Sequence, residues 1–182
     1  MEIKKTPIDG LLIITPEVFS DDRGEFFESW RKQAYVDAGL NLDFVQENQS
    51  LSKKGVLRGL HFQDPPYAQG KLVRVIQGAV VDIAVDIRKG SLTYGHHVAV
   101  NLSQYNKKVF WIPVGFAHGF VALEDNTIFS YKCTEVYNKE SEHSLSWNDP
   151  DLDINWGVKN PLISNKDTSA SSFKDFISPF SL

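Results

Sequence analysis

Short runs in which apolar and polar residues alternate, or in which apolar residues stand together, dominate the chain. They are rich in Val, Ile, Phe, Tyr and Thr, and this composition with a period of two is typical of β-strands. The runs occupy residues 11–15, 25–30, 42–52, 71–87, 96–103, 108–113, 118–124 and 126–137. The pattern therefore predicts a protein built mainly from short strands.

Residues that favour turns separate these runs. The turn segments are 22–24, 53–55, 88–90 and 124–126, and each of them contains Gly, Asp or Asn. Gly78 interrupts the long apolar run 71–87, so we expect a bend or a bulge there.

Helical patterns are few. Residues 31–40 predict one helix that ends at Gly39, and a second helical turn is expected within 169–177. Many evenly spaced strands with few helices predict an all-β fold, namely a jelly-roll β-barrel or sandwich. The last 35 residues, from 148 onward, are rich in Asn, Asp, Ser and Pro, which predicts a loop-rich C-terminal arm packed on the barrel. We expect residues 1–182 to form a single domain.

Composition narrows the possible partners. The chain is 42% hydrophobic, enough for one core, and its net charge of −4 gives no basic surface for nucleic acid. No apolar run approaches the roughly 20 residues of a membrane span, and no secretory leader is visible. Cys133 is the only cysteine, which fits a reducing compartment. We therefore expect a cytoplasmic protein that does not bind membranes.

The stretch 56–63, VLRGLHFQ, contains an arginine and a histidine inside an apolar run. Residues three apart point to opposite faces of a regular strand. Gly59 permits a bulge, which would turn Arg58 and His61 toward one cavity. A lone histidine in such a run is more often a hydrogen-bonded core residue, but the neighbouring Arg58 favours a functional site.

Residues 113–119, PVGFAHG, match the pattern PxGxxH, which resembles half of the second metal-binding motif of the cupins. A catalytic metal usually needs three converging protein ligands. The first cupin motif would read HxH, whereas His61 is followed by Phe and Gln. The adjacent histidines 96–97 cannot both face inward on a regular strand. We therefore favour a cupin-like barrel without a metal, with a metal-dependent cupin oxygenase as the alternative.

Three further residues have both an ordinary and a functional interpretation. Lys71 begins an apolar strand and is either a solvated strand end or an ammonium facing an anionic intermediate. Tyr131 is either a half-buried strand aromatic or a reactive phenol. Asp167 is either a turn or cap residue or a functional carboxylate.

Taken together, these stretches resemble one family, the dTDP-4-dehydrorhamnose 3,5-epimerases, which are metal-free relatives of the cupins. RGLHFQ followed by QGKLVRVIQG is the most specific part of the resemblance. The matching stretches cover nearly the whole chain and lie at residues 19–30, 44–95, 109–125, 131–156 and 162–167.

The resemblance implies inversion of C3 and C5 of a dTDP-linked 4-keto-6-deoxyhexose, without a cofactor. Both carbons flank the C4 carbonyl, so their protons are acidified by enolate formation. The reaction needs a base, an acid on the opposite face and positive charge at O4. The family pattern assigns these roles to His61, Tyr131 and Lys71, with Asp167 holding the imidazole.

The resemblance also implies how the substrate binds. Arg58 would clamp the pyrophosphate, a task suited to its forked donors. In the family, the strand that carries the nucleotide-binding residues comes from the neighbouring subunit, so a homodimer with strand exchange is implied. The remaining positions expected to contact the dTDP-sugar are Phe19, Arg23, Glu28, Gln46, Asn48, His118, Glu142 and Lys166.

Two departures from the family pattern fall in the C-terminal arm. Gly157 stands where a proline is common, and Ser144 stands where a glycine is frequent.

The same residues are compatible with two alternative functions. One is a 3-only or 5-only epimerase acting on another dTDP-4-keto-6-deoxyhexose, and the other is a non-epimerising sugar-nucleotide-binding cupin.

Overall fold

The computed structural model describes residues 1–182 and consists mainly of β-strands. The elements are β1 (Glu2–Lys5), β2 (Leu12–Thr15), β3 (Val18–Asp21), β4 (Gly24–Phe27), α1 (Lys32–Asp37), β5 (Gln46–Ser52), β6 (Leu57–Gln63), β7 (Lys71–Gln77), β8 (Ala79–Asp86), β9 (His97–Ser103), β10 (Val109–Ile112), β11 (Phe116–Ala122), β12 (Thr127–Cys133), β13 (Glu142–Ser144) and α2 (Asn165–Thr168). No helix is long and apolar enough to cross a bilayer.

Two antiparallel sheets pack face to face. One sheet has the strand order β1-β2-β10-β7-β12-β5, and the other has the order β13-β6-β11-β8-β9. Neighbours in a sheet are therefore mostly distant in sequence, as crossovers between two packed sheets require. The predicted all-β, jelly-roll architecture is confirmed. A separate two-stranded hairpin, β3–β4, pairs only with itself.

The main hydrophobic core lies between the two sheets. Val73 and Phe129 enter it from the six-stranded sheet, and Val80, Val100 and Phe120 enter from the five-stranded sheet. Phe120 and Phe129 stack at a centroid distance of 4.1 Å, so aromatic contact joins the layers directly. Alternation along each strand places the intervening side chains on the outer faces.

The C-terminal arm packs on the barrel, as predicted, and covers the outer face of the five-stranded sheet. Trp156 and Phe180 from the arm pack against Leu57 and Leu60 of β6 in a second hydrophobic cluster. A parallel bridge between Val56 and residue 162 attaches the arm beside the start of β6. The arm is thus part of the fold, and its position is set by apolar burial.

The helix expected within 31–40 is present as α1, and Gly39 follows it with a positive φ of 85°. The prediction of a helical turn within 169–177 is wrong, because that segment forms only a bridge and a turn. The short helix α2 lies just before it, where the Ser164 hydroxyl accepts the Asp167 N–H at 3.1 Å and caps the helix. The bend expected at Gly78 is confirmed, since this residue has φ 80° and separates β7 from β8.

Candidate active site

Two adjoining cavities of about 440 and 460 Å³ lie between the sheets. His61, Lys71, Tyr131 and Glu142 line both of them, so the cavities form one cleft with two lobes. His61 enters from the five-stranded sheet, whereas Lys71 and Tyr131 enter from the six-stranded sheet. The three groups expected to perform proton transfer and charge stabilisation therefore face one space from opposite walls.

A bulge in β6 brings Arg58 and His61 to the same cleft. His61 is paired with His118 of β11 and Arg58 with Phe120, so two residues of β6 lie opposite the single Gly119. Gly59 has φ 142°, and a Cβ there would lie 2.5 Å from the Cα of Gly119. The prediction that a bend at Gly59 directs both side chains into one cavity is confirmed, since both line the larger lobe.

The imidazole of His61 is paired with a buried carboxylate. Its Nε2 lies 2.5 Å from Oδ1 of Asp167, which is 3% exposed, while the side chain of His61 is 26% exposed. Burial acts to raise the pKa of Asp167, but the contact with His61 and the capping hydroxyl of Ser164 outweigh it and lower that pKa. The ionised carboxylate fixes the tautomer of the ring, and the exposed edge of the ring faces the cleft.

Burial shifts the pKa values of Lys71 and Tyr131 in opposite directions. Burial lowers the pKa of Lys71, although Cys133, Glu142 and Asp82 act to raise it. Burial raises the pKa of Tyr131, so its phenol keeps its proton at neutral pH. The protonated phenol of Tyr131 and the amine of Lys71 therefore share the wall opposite His61.

Arg58 has no carboxylate partner within the chain. Its Nε donates to the Ser52 hydroxyl at 3.3 Å, and the rest of the guanidinium is left to the larger lobe. An unpaired guanidinium in a cleft is suited to a phosphate ligand.

Glu142 and Lys166 form an ion pair at the rim of the cleft. The Tyr137 hydroxyl donates to the same carboxylate at 2.8 Å. Burial acts to raise the pKa of Glu142, but Lys166 and Tyr137 outweigh it, so Glu142 is held ionised. Tyr137 lines the smaller lobe and was missed in the sequence, because nothing in the pattern around a loop tyrosine distinguishes it.

His118 lies deep in the larger lobe and is paired with Asp82. Its Nε2 is 3.0 Å from both carboxylate oxygens, and Asp82 is fully buried. Burial raises the pKa of Asp82, against the attraction of His118. The sequence analysis missed Asp82, although an aspartate inside the apolar run VVDIAV is a signal, because a buried carboxylate requires a partner.

Gln46 and Asn48, which were expected to contact the nucleotide-sugar, line the smaller lobe. They are hydrogen bonded to each other, with the Gln46 amide donating to the Asn48 oxygen at 3.0 Å. The Gln46 oxygen also accepts the N–H of Tyr137 at 2.8 Å. Gln46 therefore holds the backbone of a neighbouring segment in place and also lines the smaller lobe.

Phe19, Arg23 and Glu28 do not line this cleft. They lie on or beside the β3–β4 hairpin, where Phe19 is 58% exposed and Arg23 is paired only with Asp21. Phe26 on the same hairpin is 71% exposed. Such aromatic exposure on a hairpin that lies outside both main sheets is characteristic of a surface that contacts another molecule.

The histidines of the cleft are each paired with one carboxylate, and no group of three His, Cys, Asp or Glu side chains converges in the chain. His118, the residue that matched the cupin pattern, has Asp82 as its partner. The geometry supports proton transfer between opposite walls.

The family model described as dTDP-4-dehydrorhamnose 3,5-epimerase matches residues 5–175. The chain belongs to the dTDP-4-dehydrorhamnose 3,5-epimerase family. The resemblance found in the sequence is thereby confirmed.

Individual members of this family are similar to this chain over nearly their full length. A dTDP-4-dehydrorhamnose 3,5-epimerase from Shigella flexneri is 51% identical over 96% of this chain and 97% of its own. A dTDP-6-deoxy-D-glucose-3,5-epimerase from Legionella pneumophila, solved with dTDP-4-keto-L-rhamnose, has a TM-score of 0.92 at 48% identity and covers 97% of this chain and 94% of its own.

A more distant relative is described by a different activity. The 3'-monoepimerase of Streptomyces bikiniensis, solved with dTDP-quinovose, has a TM-score of 0.87 at 32% identity and covers 92% of this chain and 85% of its own. This epimerase fold therefore accommodates both double and single epimerisation.

Replacing Gly59 with alanine should disrupt the cleft. The added Cβ would meet the backbone of Gly119 at 2.5 Å, in addition to the unfavourable positive φ. We expect Gly59→Ala to lower the free energy of unfolding by about 3 kcal/mol or more and to reduce kcat/KM at least about 100-fold. Chemical denaturation and steady-state kinetics would measure both.

Gly55→Ala is the matched control, because Gly55 also has a positive φ but no atom within 4 Å of an added Cβ. It should lose only about 1–2 kcal/mol of stability and keep its activity. Equal losses in the two variants would contradict the close-approach argument.

Proposed function

We propose that the enzyme converts dTDP-4-dehydro-6-deoxy-D-glucose to dTDP-4-dehydro-L-rhamnose by two proton exchanges, at C3 and C5, through an enolate. The observation that carries this proposal is the placement of a carboxylate-paired imidazole on one wall of the cleft and a protonated phenol on the other. Inversion requires proton removal and proton return on opposite faces of one carbon. Family membership supports the same reaction.

His61 is the base in this proposal. Its ring accepts the proton from the carbon beside the C4 carbonyl, and the resulting imidazolium is stabilised by the carboxylate of Asp167 at 2.5 Å. The C–H electron pair moves into the C4 carbonyl to form the enolate. Lys71 then supplies a positive charge and a hydrogen bond to the developing O4 anion.

Tyr131 is the acid on the opposite face. Its phenol donates a proton to the same carbon as the enolate collapses, which completes one inversion. The phenolate then regains a proton and His61 releases its proton, so the enzyme returns to its starting state. A second cycle at the other carbon completes the reaction without any change of oxidation state.

The nucleotide end of the substrate would occupy the rest of the cleft. Arg58 would bind the pyrophosphate, because its guanidinium has no internal carboxylate partner. Gln46 and Asn48 would contact the nucleotide-sugar from the smaller lobe, and His118 would contact the sugar from the deep end. Glu142 and Lys166 would contribute from the rim as a pair.

The site would be completed by a second subunit in a homodimer. Phe19, Arg23 and Glu28 lie on or beside a hairpin that pairs only with itself and exposes its aromatic side chains. Exchange of this hairpin would cover those aromatics and deliver the three side chains to the partner's nucleotide. We place the enzyme in the cytoplasm as a further part of this proposal.

Inversion at one carbon only is the second candidate, supported by the similarity to a 3'-monoepimerase. Deuterium exchange separates the two. In deuterated water with dTDP-4-dehydro-6-deoxy-D-glucose, we expect deuterium at both C3 and C5, detected by NMR. Exchange at a single carbon would establish the second candidate, and exchange at neither would refute epimerisation.

His61→Asn should reduce exchange at both carbons by a factor of about 10² to 10⁴ or more, because general-base catalysis contributes on that scale. The exposed His143→Asn is the control, since this residue lies outside the cleft and pairs with Asp64. It should exchange normally. Normal exchange in His61→Asn would exclude the imidazole as the base.

The pH profile of kcat/KM should fall on the alkaline side below lysine's usual pKa of 10.5, because burial lowers the pKa of Lys71. Burial moves the pKa values of Tyr131 and Cys133 in the opposite direction, upward, and the variant Lys71→Arg separates their titration from that of Lys71. In Lys71→Arg the remaining activity should show no such limb, because a guanidinium does not titrate in this range. A wild-type profile that is flat to pH 10.5, or a limb retained in Lys71→Arg, would contradict the role of Lys71.

Mixing two inactive variants should restore activity if the hairpin is exchanged. A chain with Arg23→Ala and a chain with His61→Asn, refolded together, give mixed dimers in which one site has both native residues. Random assortment predicts about a quarter of wild-type activity. Tyr131→Phe mixed with His61→Asn is the control and should regain none, since both residues belong to one chain's cleft. No recovery in the first mixture would refute exchange.

A further inference from the structure

The segment Glu135–Asn138, between β12 and β13, crosses the rim of the smaller lobe without a strand partner. No backbone–backbone hydrogen bond involves these four residues. Unpaired backbone groups near a packed wall need other partners. Here glutamine side chains supply them, one after another along the segment.

Three glutamines hold the four residues in turn. Gln69 donates to the carbonyl of Glu135 at 2.6 Å, and Gln63 donates to the carbonyl of Val136 at 3.1 Å. Gln46 accepts the N–H of Tyr137 at 2.8 Å, and Gln63 accepts the N–H of Asn138 at 2.8 Å. The three come from β5, from β6 and from the loop before β7, so the segment is tied to both sheets. We call Gln46, Gln63 and Gln69 the glutamine clamp.

Gln63 is the central member of the clamp and has no donor left for a ligand. Its second N–H goes to the carbonyl of Tyr67 at 2.6 Å, so both amide hydrogens are used internally. The residue is only 4% exposed. A buried side chain whose hydrogen bonds all go to backbone groups acts by positioning those neighbouring segments.

The clamped segment carries Tyr137, whose side chain enters the cleft. Tyr137 projects into the smaller lobe and donates to Glu142, which pairs with Lys166. Lys166 precedes Asp167 in α2. The clamp is therefore connected by polar contacts as far as Lys166, and the backbone of α2 joins Lys166 to Asp167, the partner of His61.

We propose that the glutamine clamp, and Gln63 above all, positions Tyr137 and Glu142 against the substrate during epimerisation. Gln63 is a positioning residue in this account, since it acts through the segment that it holds. The inference rests on the proposed function, because it assigns the clamp to the same cleft and the same reaction.

Gln63→Met removes the three hydrogen bonds at similar side-chain volume. We expect kcat/KM for epimerisation to fall about tenfold, chiefly through KM, with native circular dichroism retained. Gln69→Met, at a less buried position, should act in the same direction through Glu135. Gln77→Met is the control, because Gln77 is exposed on β7 and bonds only to the carbonyl of Asn126. It should remain within about twofold of wild type.

A double-mutant cycle with Tyr137→Phe distinguishes positioning from simple structural support. If Gln63 acts through Tyr137, the double variant should lose much less kcat/KM than the product of the two single losses. The losses in free energy of unfolding, measured for the same variants, should not show the coupling that is seen in kcat/KM. Multiplicative kinetic losses, or unchanged kcat/KM in both Gln63→Met and Gln69→Met, would overturn the proposal. An inactive wild-type enzyme would instead overturn the proposed function.

Discussion

The contact between His61 and Asp167 is the interaction on which the site depends. It joins β6 to the C-terminal arm across 106 positions of sequence, so it exists only when the arm is packed on the five-stranded sheet. That packing is apolar, through residues such as Trp156 and Phe180, and the capping of α2 by Ser164 then aims the carboxylate. Burial of hydrophobic surface far from the cleft therefore fixes the tautomer and direction of the His61 ring.

The bulge at Gly59 is the second constraint, and it has a local cost. A regular strand would place Arg58 and His61 on opposite faces, whereas the bulge gives up one ladder position to turn both toward the cleft. The approach of Gly59 to Gly119 allows the two strands to stay paired on both sides of the irregularity. Two glycines facing each other are thus what permits the guanidinium of Arg58 and the imidazole of His61 to line one cleft.

The sequence predicted the strands that carry strong apolar alternation, the helix ending at Gly39 and the cleft residues within the motif 56–63. It did not predict the short polar strand β1, whose residues EIKK form a strand only because β2 lies beside them. The short helix was placed too late, although Ser164 and Asp167 have the spacing of a capping motif. Tyr137 and Gln63 were missed because their roles arise from contacts between segments that are distant in sequence, which no local pattern encodes.

Burial acts on the buried carboxylates of the cleft, on Lys71 and on Tyr131 in the direction that favours neutrality, and their partners decide which of these groups stay charged. Asp167 and Glu142 each have a basic partner and remain ionised, whereas Tyr131 has no charge partner that outweighs its burial and keeps its proton. On the proposed assignment there is one base on one wall and one acid on the other. Because C3 and C5 flank C4 symmetrically, both inversions can use this single pair if O4 stays near Lys71 while the ring presents each carbon in turn. The two-lobed shape of the cleft, with His61, Lys71 and Tyr131 at the junction of the lobes, provides room for that movement.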